Sequence, residues 1–427
     1  MISFRNICAL SLIILLGTWA GARTFESSTS ENTSQEEHIL SVVPQSIFSV
    51  DPRLKKNVDF WIKIYTEYDS KQGVMHDAKY IDHIYENLTF ETTSQPSSQR
   101  YMKKLKNRWK DILMAVHRKQ RTPEKMTDEE KRVFEMFADV KETDKFLKAA
   151  HHKRLRFQLG QKDRFREGLY YSGYYIPIME EIFKREGLPL ELTRLPFVES
   201  SFNIKARSKV GASGIWQFMR STGKLFLKIN DSVDERNDPI RATEAAAKLL
   251  RLNFESLKSW PLAVTAYNHG RMGMMRAVRK VGSDELEDLV SAYKSRSFGF
   301  ASTNFFTELL AAVEVEKNSE KYFGKIERAK VPQYIEVKLP DWISFKDLIS
   351  FLKLDAKALR TLNPGLTEQS ILGNRLIPSG YTLRIPHDEG LAKDAGERIF
   401  LAAYEQIPEE YKYRRPNAVK SRTRRRR

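Results

Sequence analysis

The stretch from Pro189 to Arg220 holds the residues whose types and spacing could do chemistry together: one carboxylic acid followed by amides and hydroxyls. Glu199 closes an apolar segment in which Leu192, Leu195, Phe197 and Val198 surround its stem. The next carboxylate in the chain is Asp231, so the acid has no near neighbour of its kind. Apolar surroundings strip hydration from a carboxyl, disfavour its ionised form and lift its pKa from about 4.3 toward roughly 6, the range of a general acid near neutral pH. A lone Glu at the end of a short helix, like Glu191 in the first turn before it, is more often solvated or salt-bridged. The neighbours favour chemistry. Gly211-Ala-Ser-Gly214 is a tight small-residue turn, Ile215-Trp216-Gln217-Phe218 sets an amide between large apolar groups, and Ala266-Tyr267-Asn268-His269-Gly270 follows a helical stretch. Amide, phenol and indole groups are what a cleft needs to bind neutral sugars.

Glu199-Ser200, then Gly214-Ile215-Trp216-Gln217, then Ala266-Tyr267-Asn268 resemble, in order and spacing, the three motifs of the family 1 lytic transglycosylases. Trp216 before Gln217 and the segment Asp234-Glu-Arg-Asn-Asp-Pro239 are similar to the membrane-bound lytic murein transglycosylase D type. The resemblance implies a soluble-transglycosylase, goose-lysozyme-like fold that acts on peptidoglycan glycan strands with no cofactor and no metal. It implies that Glu199 is the sole acid/base and gives a 1,6-anhydro product, and that Ser200, Ser208, Gly214, Gln217, Tyr267 and Asn268 bind substrate. Whether Trp216 stacks on sugar or packs stays open, and His269 reads as a local hydrogen-bonding residue. Ordinary glycosidases use two carboxylates, about 5 to 5.5 Å apart when retaining and about 6.5 to 9.5 Å when inverting. Asp231, Asp234, Glu235 and Asp238 come next, but with Arg236 and Pro239 they read as a salt-bridged loop. A hydrolase using Asp234 or Asp238, and a non-catalytic wall-binding protein, are the alternatives.

Helices must position these groups, and the chain is expected to be mainly α. Tyr174 to Lys184 reads as an amphipathic helix with Pro177 in its first turn and Gly187 as its cap, and Leu190 to Val198 as the helix that delivers Glu199, with Pro196 late in it. Ala242 to Phe254 and Trp260 to Tyr267 read as two more, the second returning Tyr267 and Asn268 toward Glu199. Residues 163–328 would form the lysozyme-like catalytic domain. Residues 47–162 would form a helical region that buttresses it: Phe60 to Tyr68, Tyr80 to Leu88 and Leu105 to Val116 each repeat apolar residues at helical spacing. Residues 329–388 read as strand, two helices and strand, a small βααβ module that resembles a LysM domain, a binder of N-acetylglucosamine polymers. Leu339-Pro-Asp-Trp-Ile343 replaces the Gly-Asp-Thr turn usual there, so sugar binder and spacer both stay open. A short helix, 389–411, and a basic tail, 412–427, complete the chain.

The amino terminus carries Arg5, an apolar run from Ile7 to Leu16 and Ala20-Gly21-Ala22, which read as a secretory signal over 1–22, with a retained anchor as the competitor. Residues 23–46 are poor in large apolar side chains and read as a disordered linker. The only cysteine is Cys8, so cleavage leaves a chain without disulfides or thiolate ligands, compatible with the periplasm or cell envelope. The 427 residues carry a net charge of +17, and no nucleic-acid motif accompanies it. An anionic envelope polymer or a membrane surface, met through the basic tail, is the expected partner beside peptidoglycan.

Overall fold

The computed structural model describes residues 48–92, 94–387 and 392–413. The signal, the 23–46 linker and the tail beyond Tyr413 lie outside the described residues. The chain is mainly helical, as expected. Helix α1 (Lys55–Thr66) leads into a hairpin of β1 (Gln72–Asp77) and β2 (Ile84–Thr89), followed by α2 (Gln99–Lys119), α3 (Asp128–Met136), α4 (Lys145–Ala149) and β3 (Leu155–Leu159). The strands form an antiparallel sheet in the order β2-β1-β3. This corrects the helical reading of Tyr80 to Leu88. Tyr85 and Leu88 do reach a core, but from a strand whose pairing with β1 shifts register at Met75/His76. Apolar spacing over so short a run fits either element, and pairing with β1 decides it.

The sheet separates two cores. Met75, Leu155 and Phe157 join Trp109, Leu113 and Phe137 in a core belonging to the amino-terminal region. Val74 and the apolar face of α1 belong instead to the core of the catalytic domain. Part of the expected buttress is therefore built into that domain.

Helix α5 (Lys162–Arg185) is a full 24 residues, so Pro177 lies in its interior and not in its first turn. Its end matches expectation. Gly187 has φ +62°, its amide donates to Lys184, and Leu188 donates to Phe183, which satisfies the last carbonyls of the helix. A 3-10 stretch, Leu190–Arg194, and α6 (Leu195–Glu199) follow. The expected single helix is thus two, and Pro196 opens the second, where its missing amide costs nothing. Helices α7 (Pro239–Leu257), α8 (Trp260–His269), α9 (Arg271–Val281), α10 (Leu286–Ala292) and α11 (Phe300–Lys317) complete the domain. Helix α11 is buried nearly all round, which suits a central helix.

The carboxy-terminal module pairs β4 (Tyr334–Lys338) with β5 (Thr382–Pro386) antiparallel and places α12 (Phe345–Leu352) and α13 (Ala356–Leu362) between them in sequence. A short helix, Glu368–Ile371, is added before β5. Helix α14 (Lys393–Glu405) packs its Phe400 and Tyr404 on the same core. Order runs past the expected boundary at 412, because Tyr413 exchanges two backbone hydrogen bonds with Trp342. Among the described residues no helix is long and apolar enough to cross a membrane.

Candidate active site

The backbone that carries Glu199 is clamped on three sides. Arg194 bonds Glu180 of α5 and, at 3.1 Å, Glu316 of α11, and Phe197 stacks on Phe165 with centroids 4.5 Å apart. Ser201 and Phe202, just after the acid, both take left-handed backbone (φ +51° and +58°), and Gln217 does too (φ +48°). Such conformations cost free energy in residues other than glycine and persist where surrounding structure holds them. Here Phe202 is held edge-on against Phe197, 4.7 Å away.

Part of the Glu199 surface still meets solvent, yet protein crowds its carboxyl, and among the described residues it has no hydrogen bond or ion pair. Burial pushes its pKa up to about 8. The rise is larger than the sequence implied, and the carboxyl is protonated at neutral pH.

The Gly211–Phe218 turn is tied to the end of α6, beside Glu199. Gly214 has φ +78°, and any side chain there would collide with the carbonyl oxygen of Arg236. Gln217 donates to the carbonyls of Gly214 (2.8 Å) and Ala206 (3.2 Å), so its amide nitrogen is occupied and its Oε1 is the group without a partner among the described residues. Ser208 closes the turn by accepting from the amide of Ala212 at 2.9 Å. Ser200 donates to the carbonyl of Ile215 at 2.9 Å and ties the end of α6 to this turn. Trp216 is wholly buried, stacks on Phe183 and donates to Thr243 Oγ1 at 2.9 Å, so it packs and does not face sugar.

Helix α8 returns Tyr267 and Asn268, as expected. The Tyr267 hydroxyl donates to the Trp216 carbonyl at 2.9 Å, and burial first, then the Glu199 charge, raises its pKa well above the usual value. Asn268 is exposed and accepts from Ser302 of α11 at 2.9 Å. His269 sits edge-on to Phe298, its pKa lowered by burial.

Asp234 and Asp238 are structural. Asp234 makes two hydrogen bonds to the Arg236 guanidinium, 2.7 and 2.9 Å, and Arg236 in turn donates to the carbonyls of Gly211 and Phe218. Asp238 caps α7 by accepting from the amides of Ile240 and Arg241.

A second buried acid within electrostatic reach of Glu199 is Glu308 of α11, which sequence reasoning missed. Its pKa is raised to about 8, by burial first and by the Glu199 charge second, while Arg156 of β3 opposes the rise. Tyr65 of α1 lies within electrostatic reach of it. The signal was a single Glu set among Phe305, Phe306, Leu309 and Leu310 in a helix with almost no polar face.

Residues 177–290, which carry Glu199, Gln217, Tyr267 and Asn268, match the family described as Transglycosylase SLT domain. This segment is a transglycosylase SLT domain. Its lysozyme-like helical fold is the one the motif resemblance implied. The membrane-bound lytic murein transglycosylases D of Escherichia coli K12 and of Escherichia coli O6:H1 are each 28% identical to the chain over 186 residues, 43% of this chain. The chain spans 40% of the length of either relative. An inactive mutant of the lytic transglycosylase Slt from Pseudomonas aeruginosa superposes with a TM-score of 0.29 at 18% identity, over 34% of this chain and 24% of that one. The matched residues end before α11, so Glu308 and the three-stranded sheet lie outside them.

Proposed function

We propose that the protein is an exported peptidoglycan lytic transglycosylase that cleaves the β-1,4 bond between N-acetylmuramic acid and N-acetylglucosamine without adding water. The observation that carries this reading is Glu199: a carboxyl without hydrogen-bond or ionic partners among the described residues, protonated at neutral pH, in the wall of an SLT-domain cleft. The names of the matched relatives support the substrate class.

Glu199 donates its proton to the glycosidic oxygen as the C1–O bond breaks, and the N-acetyl oxygen of the muramic acid stabilises the cation at C1. The carboxylate left behind then takes the proton of the C6 hydroxyl, whose oxygen closes on C1 to give the 1,6-anhydro end. Tyr267, fixed on the Trp216 carbonyl, orients the acid's side of the cleft, while Gln217 Oε1, Asn268, Ser200 and Ser208 are the groups for sugar hydroxyl and N-acetyl contacts. The carboxy-terminal module would add contacts to N-acetylglucosamine polymers, and the basic tail an anionic envelope polymer or membrane surface, which places the protein in the periplasm or envelope.

Glu308 favours a second reading, hydrolysis with Glu308 as base for water. A base must be ionised, and the same burial that raises Glu199 keeps Glu308 protonated, so lytic cleavage is preferred. Mass spectrometry of fragments released from purified peptidoglycan separates the two. Products one water lighter than those of a hydrolase, absent with Glu199→Gln, support the proposal; reducing ends sink it in favour of hydrolysis.

A further inference from the structure

In the β1–β3 ladder His76 stands opposite Arg156 and Val74 opposite Gln158, so these side chains share one face of the sheet, the face toward the catalytic domain. That face meets Phe300, the first residue of α11. The Arg156 guanidinium lies 3.9 Å from the Phe300 ring centroid, and the buried His76 ring lies 5.6 Å from it. Phe300, Asn304 and Glu308 recur every four residues and line one side of α11. Asn304 is held there by hydrogen bonds from Asn57 and Trp61 of α1. Arg156 therefore stands at the foot of the ridge that leads to the buried acid Glu308.

The one counter-charge within electrostatic reach of Arg156 among the described residues is Glu308, which acts on it without an ion pair. Among the described residues the Arg156 side chain has no hydrogen bond and no ion pair, and its buried Nε is without a partner. Lys106 of α2, also half-buried, has its charge disfavoured by burial first and by Arg156 second, and its side chain too lacks a partner among the described residues. Neighbouring cations behave differently: Arg108 pairs with Glu86 and Glu129, and Arg154 with Asp77 and Glu142. Two like charges brought together and partly stripped of water cost free energy that an arriving anion would offset. The Phe300 ring holds the guanidinium by a cation–π contact at 3.9 Å, and a guanidinium with no side-chain hydrogen bond of its own can take a carboxylate through two parallel ones.

We infer that Arg156 and Lys106 form an anion subsite beside the cleft, supplied by the region preceding the SLT domain, and that its ligand is a carboxylate of the peptide stem on the glycan strand. The inference rests on the reading of the cleft as a peptidoglycan site. With its muramic lactyl carboxyls held as amides, the glycan itself offers no counter-charge, whereas its stems end in carboxylates. The subsite would make the enzyme select strands that still bear peptides.

The test measures kcat/KM for release of anhydro ends by the full chain from two substrates: stem-bearing strands, and strands stripped of their peptides by an amidase and then capped as neutral amides at the lactyl carboxyls so exposed. The wild type is expected to favour the stem-bearing strands. In Arg156→Gln the ratio of the two values falls about tenfold, through KM, the size expected for one charge-assisted contact. Lys106→Gln lowers it several-fold, and Arg156→Lys restores part of the loss. Lys106→Gln carries the test if Arg156→Gln fails to fold. A ratio unchanged in the variants, or a wild type indifferent to stems, overturns the subsite. If instead the wild type makes no anhydro ends from either substrate, the reading of the reaction fails, and the subsite falls with it.

Discussion

Arg384 of β5 donates to the carboxylate of Asp238 at 2.6 Å, and the two side chains, 4% and 5% exposed, join the carboxy-terminal module to the loop that opens α7. Around them the amide of Asp234 donates to the Gly365 carbonyl, Thr367 donates to Ser232, and Val233 enters the module's core. Asp234 holds Arg236, and Arg236 holds Gly211 and Phe218. The module is thus coupled through Asp234 and Arg236 to the turn that presents Gln217.

Removing one member of a buried ion pair strands the other's charge, at a cost of about 3–5 kcal/mol. Arg384→Met is expected to lower the urea unfolding free energy by that amount. The double variant Arg384→Met/Asp238→Asn should recover most of it, since Asn keeps the cap of α7 and carries no charge. A double variant as unstable as the single one would show that stranded charge is not the cause.

Tyr267→Phe deletes the one hydrogen bond that the Trp216 carbonyl accepts among the described residues. An orphaned buried acceptor costs about 1–3 kcal/mol. Loss of the anchor lets the ring shift against Glu199, and a misplacement near 1 Å costs roughly hundredfold in kcat. Steady-state kinetics on soluble glycan should show the loss in kcat with KM little changed; a change in KM alone would make Tyr267 a sugar contact and not an orienting group.

Gly214→Ala is expected to be inactive and destabilised together. The residue has φ +78°, and the added methyl meets backbone, the Arg236 carbonyl, which has no freedom to yield. Gly187→Ala serves as the comparison, because Gly187 has φ +62° but open space around it. That variant should lose only about 1 kcal/mol and keep its activity, as read from thermal melts and turnover.

What the sequence made legible follows the range of the interactions. Glu199, Gln217, Tyr267 and Asn268 sit in short motifs, so local spacing was enough to single them out as candidates, and helices α7 and α8 carry their own periodicity. Tyr80 to Leu88 failed because a strand of six residues shows the same apolar recurrence as two helical turns, and only its partner in β1 distinguishes them. The Arg384–Asp238 pair spans 146 positions and Arg156 reaches Phe300 from another region of the chain, and no local pattern announces either. Glu308 was hidden differently: an isolated acid on a helix reads as a solvated residue until the helix is found to have no solvated face.

The two acids set the response to pH. Glu199 must be protonated in the free enzyme to act as acid, so kcat/KM should be flat below pH 7 and fall about tenfold per unit above about 8. Stability runs the same way. With a carboxyl ordinarily at 4.5 raised to about 8 in the folded chain, the folded state binds the extra proton between those values. Stability from this group is therefore complete below about 4.5, declines as pH rises, and is lost above about 8. Glu199→Gln removes the group that resists ionisation, so its melting temperature should match the wild type at pH 5 and exceed it at pH 9. Glu308→Gln should do the same, because burial governs both carboxyls. A variant less stable than the wild type at both pH values would mean that these side chains hold the cleft together as neutral packing groups and that their ionisation contributes little to the pH dependence.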